Sequence, residues 1–426
     1  MLSLHTSRRL MMLTSLLLVG AVLIAPAATP ASASATGTIT LKIMHWNSQL
    51  SSQARWWTDI LHGFTAQHPN VTIENQYVPF DQYLTTLESE AAANTLPDVM
   101  YAHVKAAELG RSGHTVDFKA VFPASFFKQF LAGPLRQFTF DNGKVYALPW
   151  DAQMFGLFVN DTIMAKLHLK PPQTWNDLIA MAPKIRAAGY TPLAFGTSDG
   201  GCPDFFLPLI TQYGGDVYGL DDLTKKGLSW NSAPVINAYS LLQRLSQAHV
   251  FLDGINGITA QQGEVLAYHG KAAMLFDGSF SIPLVGAPAS FAQHYSLAKM
   301  PALTPNGRHW AGDGSGDGWA VNAHSPNKAL AVALMKYLFS PSVYRAFIKA
   351  TQSFPSMPSA ESAVTDAKVR QMISWVKEGD GTDHILFGKG SNDAVNNACQ
   401  GVLNGSLSPQ QAAAQTQKAV LTARSH

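Results

Sequence analysis

Along residues 39–45 apolar and polar side chains alternate. Ile39, Leu41 and Ile43 fall on one side, Thr40 and Lys42 on the other, and a period of two predicts a strand. The period then changes. Trp56, Ile60 and Phe64 recur four residues apart with Trp57 and Leu61 beside them, so an amphipathic helix is predicted to about His68, where Pro69-Asn70 breaks it. Residues 71–77 read as a second strand. Residues 80–94 read as a second helix with Leu84, Leu87 and Ala91 inward, and Pro97-Asp98 opens a third strand ending near Tyr101 to His103. The order βαβαβ predicts a parallel sheet with crossover helices, and such sheets bind ligands beyond the carboxyl ends of their strands. Trp46, Asn47 and His103 fall at those ends. Trp57 and Phe64 fall on an inward helix face and are predicted core.

The stretch GKVYALPWDAQMFGLFVN at residues 143–160 reads as two short strands broken at Pro149. Proline fixes φ and removes a donor, so no sheet runs straight through it. Trp150, Asp151 and Gln153 sit at the break, an aromatic and two polar groups at a chain crossing, which suits a ligand site between lobes. Beyond it, Thr174 with Asp177 and Thr259 with Gln262 read as capping boxes opening helices. Residues 272–276 are an apolar run followed by Asp277 and Phe280, again just past a strand end. Residues 309–318, HWAGDGSGDG, carry four glycines that can absorb large φ/ψ changes.

Three further stretches keep company with residues 143–160: PPQTWNDL at 171–178, GKAAMLFDGSF at 270–280 and GWAVNAHSPNKALAVALMKYLFSPSVYRAF at 318–347. In this order and spacing the four resemble the extracellular solute-binding proteins of bacterial ABC importers, in particular the carbohydrate-binding kind that includes the maltodextrin-binding protein. The resemblance implies a two-lobed α/β periplasmic-binding-protein-like fold, each lobe a mostly parallel sheet flanked by helices and joined by crossing hinge segments. It implies a first lobe of residues 36–150 and 315–355 and a second of 151–314 and 356–426. It also implies a monomer without catalytic activity that closes on a carbohydrate and hands it to permease subunits. An exported glycan hydrolase and a cell-surface adhesion module are the alternatives.

Composition narrows the partners. The chain has 426 residues, 46% hydrophobic and 14% charged, with a formal net charge of +2, so it can fill two cores and carries no basic surface for nucleic acid. Residues 1–35 read as a signal peptide: Arg8 and Arg9, an apolar stretch at 10–24, and Ala33-Ser34-Ala35 as an A-x-A cleavage site. No cysteine lies near that site, so export without a lipid anchor is expected. Cys202 and Cys399 are the only cysteines, and an oxidising compartment allows one disulfide between them.

Catalytic motifs fail on inspection. Residues 196–200 match G-x-S-x-G, but Gly201, Cys202 and Pro203 delay the helix that a nucleophile elbow needs at once. Residues 313–318 match half a calcium loop, but its twelfth position is His324 where a bidentate Glu is required. No cofactor or metal is expected. What remains are aromatics beside hydrogen-bonding groups: Trp46 with Asn47, Trp150 with Asp151, Trp230 with Asn231, Phe280 with Asp277, and Trp310 with Asp313. A sugar ring offers an apolar face to a flat aromatic and a rim of hydroxyls to Asp, Asn, Gln or His. Together with His103 and Gln153 these residues form the expected carbohydrate site.

Overall fold

The computed structural model describes residues 37–46, 52–140, 143–221, 227–282, 287–314, 317–386, 388 and 390–425. Two main sheets organise them. The first has the order Val71–Tyr77, Ile39–His45, Val99–Tyr101, Gly318–Val321, Leu148–Pro149. The second runs Gly381–Asp383, Ala311–Gly314, Gln153–Asn160, Ala272–Gly278, Thr191–Ala194, and Tyr295–Ala298 pairs with the far half of the 153–160 strand.

Both sheets are mixed rather than mostly parallel. The 39–45 strand is parallel to both its neighbours. The 318–321 strand is antiparallel to 99–101, and the 153–160 strand is antiparallel to 272–278, 311–314 and 295–298. The reason lies in the crossings. A strand that has just left the other sheet starts at the end where its new neighbours finish, so it runs against them.

Three chain segments lie side by side between the sheets. The Trp150 N–H donates to the Asp317 carbonyl at 2.8 Å, and the Ala152 N–H to the Phe354 carbonyl at 2.8 Å. The Ser356 hydroxyl donates to the Pro149 carbonyl at 2.7 Å and the Tyr344 hydroxyl to the Trp150 carbonyl at 2.6 Å. Buried backbone oxygens at the break at Pro149 are thereby satisfied by side chains.

The 153–160 strand is buried at every position, because both faces of its sheet are covered. Met154 and Phe158 join a core continuous with the first sheet, while Phe155, Leu157 and Val159 join a second core against the helices Trp175–Ala187 and Cys202–Gln212. The helices start where local chemistry allows. Both predicted capping boxes form, with Thr174 accepting from the Asp177 N–H and Thr259 from the Gln262 N–H. The helix behind Ser325-Pro326 begins at Lys328, and the Ser325 hydroxyl bonds Asp98 and accepts from the Asn327 N–H. No helix among the described residues is long and apolar enough to cross a membrane.

Candidate functional site

The carboxyl ends of the first-sheet strands and the inner ends of the second-sheet strands face one another. Trp46 stands half-buried at the end of the 39–45 strand. Its indole meets Tyr83 edge-on at 4.7 Å, His103 at 5.3 Å and Phe80 at 5.5 Å. Phe80 is 39% exposed, so this aromatic corner reaches the surface. His103 follows the 99–101 strand with φ of 44°, a left-handed conformation that a non-glycine residue adopts only when its surroundings hold it there. Its Nδ1 is buried without a hydrogen-bond partner among the described residues. Burial, with the His384 ring nearby, pulls its pKa down to about 3.

His384 reaches toward His103 from the second sheet. It follows the Gly381–Asp383 strand and is 1% exposed. Its Nδ1 lies 2.8 Å from Asp204 Oδ1, its ring tilts against Phe155 at 4.5 Å, and its Nε2 has no partner among the described residues. Burial pushes the Asp204 carboxyl up, partly offset by that hydrogen bond to His384. Phe280 meets Phe155 edge-on at 5.6 Å and is 48% exposed. A Cβ on Gly278 would fall 2.3 Å from the Phe280 ring, so only glycine allows this aromatic to fold back over the strand end.

Carboxylates gather behind these rings. Asp277 accepts from the Gly278 N–H at 2.7 Å and is pushed up to about 7 by burial, against the pull of Ser281 and Gly278. Glu264 is pushed up to about 9 by burial and by Asp277 and Asp199. Asp313 is pushed up to about 6 by burial, with His384 and Arg136 drawing it down and Asp383 driving it up. Asp151 and Asp317 form a buried pair at the crossings. Both are raised by burial, Asp317 to about 7, and Asp151 further by the Asp317 charge. Among the described residues no group of three or more His, Cys, Asp or Glu is placed to hold a metal ion.

Further out, the turn His103–Lys105 continues to a cavity of 800 Å³ bounded by Leu87, Glu88, Lys105, Arg111, His114 and Arg424. Lys105 pairs with Glu88 and Glu108 and feels the charge of Asp393. Asn392, beside Asp393 at the start of the helix Ser391–Leu403, has a buried Oδ1 without a partner among the described residues.

The expected site residues therefore divide. Trp46, His103, Asp277, Phe280 and Asp313 stand at facing strand ends. Gln153 is buried at the start of its strand and pairs with Gly314. Asp151 is buried within the crossing and bridges to Pro355. Trp150 is corrected to a core residue: it is 1% exposed, stacked on Phe347 at 4.3 Å and edged by Phe339 and Tyr344. The helix Pro341–Thr351 brings Tyr344 and Phe347 over the ring, so burial wins over display. Trp230 is corrected likewise, at 2% exposed in the second core with its backbone N–H held by Gln417. Trp310 lies at the far end of the 311–314 strand, under the Arg308 guanidinium at 4.3 Å. Asn47 lies outside the described residues. Cys202 and Cys399 stand as free buried thiols in contact with each other. Sequence reasoning missed His384, Asp204, Phe155 and Asn392. His384 follows a three-residue strand too short to show a period, and Asp204 lies on a helix in another part of the chain.

A mixed α/β architecture with two sheets, three crossings and facing strand ends defines the class of two-lobed binding proteins. Residues 47–344 match the family described as bacterial extracellular solute-binding protein, and the chain belongs to that family. An ABC transporter extracellular-binding protein of Pyrococcus horikoshii is 28% identical over 295 residues, 64% of this chain and 68% of the relative. The lactose-binding protein of Rhizobium radiobacter is 23% identical over 291 residues, 65% of each chain. The GacH receptor of Streptomyces glaucescens, solved unliganded and with acarbose, superposes with a TM-score of 0.76 at 23% identity, covering 90% of this chain and 97% of that one.

Proposed function

We propose that this protein captures a sugar or oligosaccharide outside the cytoplasm and delivers it to the permease of an ABC importer. The observation that carries the reading is a pair of unsatisfied polar atoms beside partly exposed aromatics. Buried polar atoms are nearly always paired, yet His103 Nδ1 and His384 Nε2 lack partners among the described residues. They accompany Trp46 and Phe80 from one side and Phe280 from the other. Flat rings for an apolar sugar face and free polar atoms for its hydroxyls are what a carbohydrate requires. The named ligands of the relatives, lactose and acarbose, belong to the same class.

In this reading residues 1–35 are a cleaved export signal and the mature chain works as a monomer without a lipid anchor. Residues 36–150 with 315–355 form one lobe, and 151–314 with 356–426 the other. The three crossings act as the hinge on which the lobes close, a recognised motion for binding proteins. Closure on ligand, not turnover, is the activity.

A thermal-shift screen of the mature chain against mono- and oligosaccharides tests the proposal. A bound sugar present at 100 times its Kd adds about 2.7 kcal/mol of stability. A shift with amino acids or peptides and none with any carbohydrate would overturn it, and release of shorter sugars during incubation would overturn the non-catalytic part.

A further inference from the structure

His384 is held as a recognition group is held, and its partner explains why. The ring is 1% exposed, fixed on one side against Phe155 at 4.5 Å and on the other by Asp204 at 2.8 Å from Nδ1. A Cβ on Gly312 would lie 2.9 Å from His384 Cβ, so the backbone beneath also leaves the ring no freedom. A neutral imidazole carries one proton, and the nitrogen that keeps it is set by what the other ring atom meets. A carboxylate at Nδ1 draws the proton there, which leaves Nε2 a bare lone pair. That atom has no partner among the described residues, and Phe280, one ring away, is exposed.

We infer that His384 is a specificity-determining residue: Asp204 fixes its proton on Nδ1 so that Nε2 accepts a hydrogen bond from one hydroxyl of the bound sugar. The inference rests on the sugar-binding reading and deepens it. A site built to accept from a hydroxyl rejects an analogue that cannot donate, because the buried acceptor is then left unpaired. Sugars with hydrogen, fluorine or an ether oxygen at that position bind more weakly, while the same changes at neighbouring ring positions are tolerated. Asp204 acts through His384 and is a positioning residue.

Two measurements test this. The first needs no ligand. In protein labelled with ¹⁵N in the imidazoles, long-range ¹H–¹⁵N spectra at neutral pH are expected to show Nδ1 of His384 protonated and Nε2 bare, and Asp204→Ala is expected to erase that preference. A proton on Nε2 in the wild type would overturn the inference and leave the sugar-binding reading intact. The second uses calorimetry with lactose, maltotriose, raffinose, xylotriose and N,N′-diacetylchitobiose, then monodeoxy and monodeoxyfluoro forms of the tightest binder. One position is expected where either replacement weakens wild-type binding about tenfold, the size of one neutral hydrogen bond, and has no effect in His384→Phe, which keeps a flat ring on Phe155. Equal losses in wild type and His384→Phe at every position would overturn the inference. Failure of all five sugars to bind wild type would overturn the sugar-binding reading and the ligand half of the inference with it.

Discussion

Arg136 donates to both carboxylate oxygens of Asp383, at 2.8 and 3.0 Å, and its guanidinium lies 4.3 Å from the Tyr218 ring. The first residue belongs to the helix Ala132–Gln137, beside the strand Leu148–Pro149 of the first sheet, and the second ends a strand of the second sheet. The pair therefore ties the two halves together next to His384. The Arg136 side chain is 45% exposed, so Arg136→Ala is expected to lower stability by only about 0–1 kcal/mol. On the proposed hinge closure it is expected to favour open molecules, read as a larger radius of gyration in ligand-free scattering. An unchanged radius would confine the pair's role to stability.

Phe280 and Trp230 are expected to respond in opposite ways to truncation. Phe280 is 48% exposed and fills no core. Phe280→Ala should weaken sugar binding and leave the unfolding midpoint near that of the wild type. Trp230 is 2% exposed, and Trp230→Ala should cost about 3–5 kcal/mol of stability. Calorimetric binding and urea unfolding on both variants separate the two roles. Loss of stability without loss of affinity in Phe280→Ala would remove it from the site.

Asp317 predicts a pH dependence. Burial pushes its carboxyl up to about 7 from 3.8, so between these values the folded chain keeps a proton that the unfolded chain has released. Stabilisation present below about pH 4 is lost as pH rises through 7, by at most on the order of 4 kcal/mol. Asp317→Asn removes the penalty. Its unfolding free energy should exceed that of the wild type at pH 8, with the difference shrinking toward pH 4. Parallel pH profiles would show that Asp317 ionises at no cost in the folded state.

Cys202 and Cys399 make contact inside the second core, and burial followed by the neighbouring Cys202 sulfur pushes the Cys399 thiol well up. In an oxidising compartment we expect them to be joined. Protein exported by its native host, unfolded without reductant, should then show no titratable thiol, and reduction should lower its unfolding midpoint. Closing so long a loop contributes up to roughly 5 kcal/mol. Two thiols in that titration would establish the reduced pair as the native state.

The sequence by itself determined the local elements and the class of the fold. Alternation at Ile39, Leu41 and Ile43 and the Thr174 and Thr259 capping boxes act over a few residues, and each produced the element it predicted, while the strand expected before Pro149 forms only as the pieces Lys144–Val145 and Leu148–Pro149, with Pro149 itself paired to Gly318. It also placed Trp46, His103 and Phe280 past strand ends, because the carboxyl-end rule follows from element order alone, whereas Asp277, expected past its strand, lies inside it and pairs with Gly156. Tertiary structure alone decided which aromatics are displayed. Trp150 and Trp230 carry the same flanking polarity as Trp46, yet Phe347 covers the first and the second core encloses the other. Burial depends on what distant segments bring, and flanking residues do not encode it. The same holds for strand direction in the mixed sheets and for Asp204 beside His384, 180 residues apart in the chain. A hydrogen bond between such residues leaves no period, spacing or motif behind, and only the folded chain makes it.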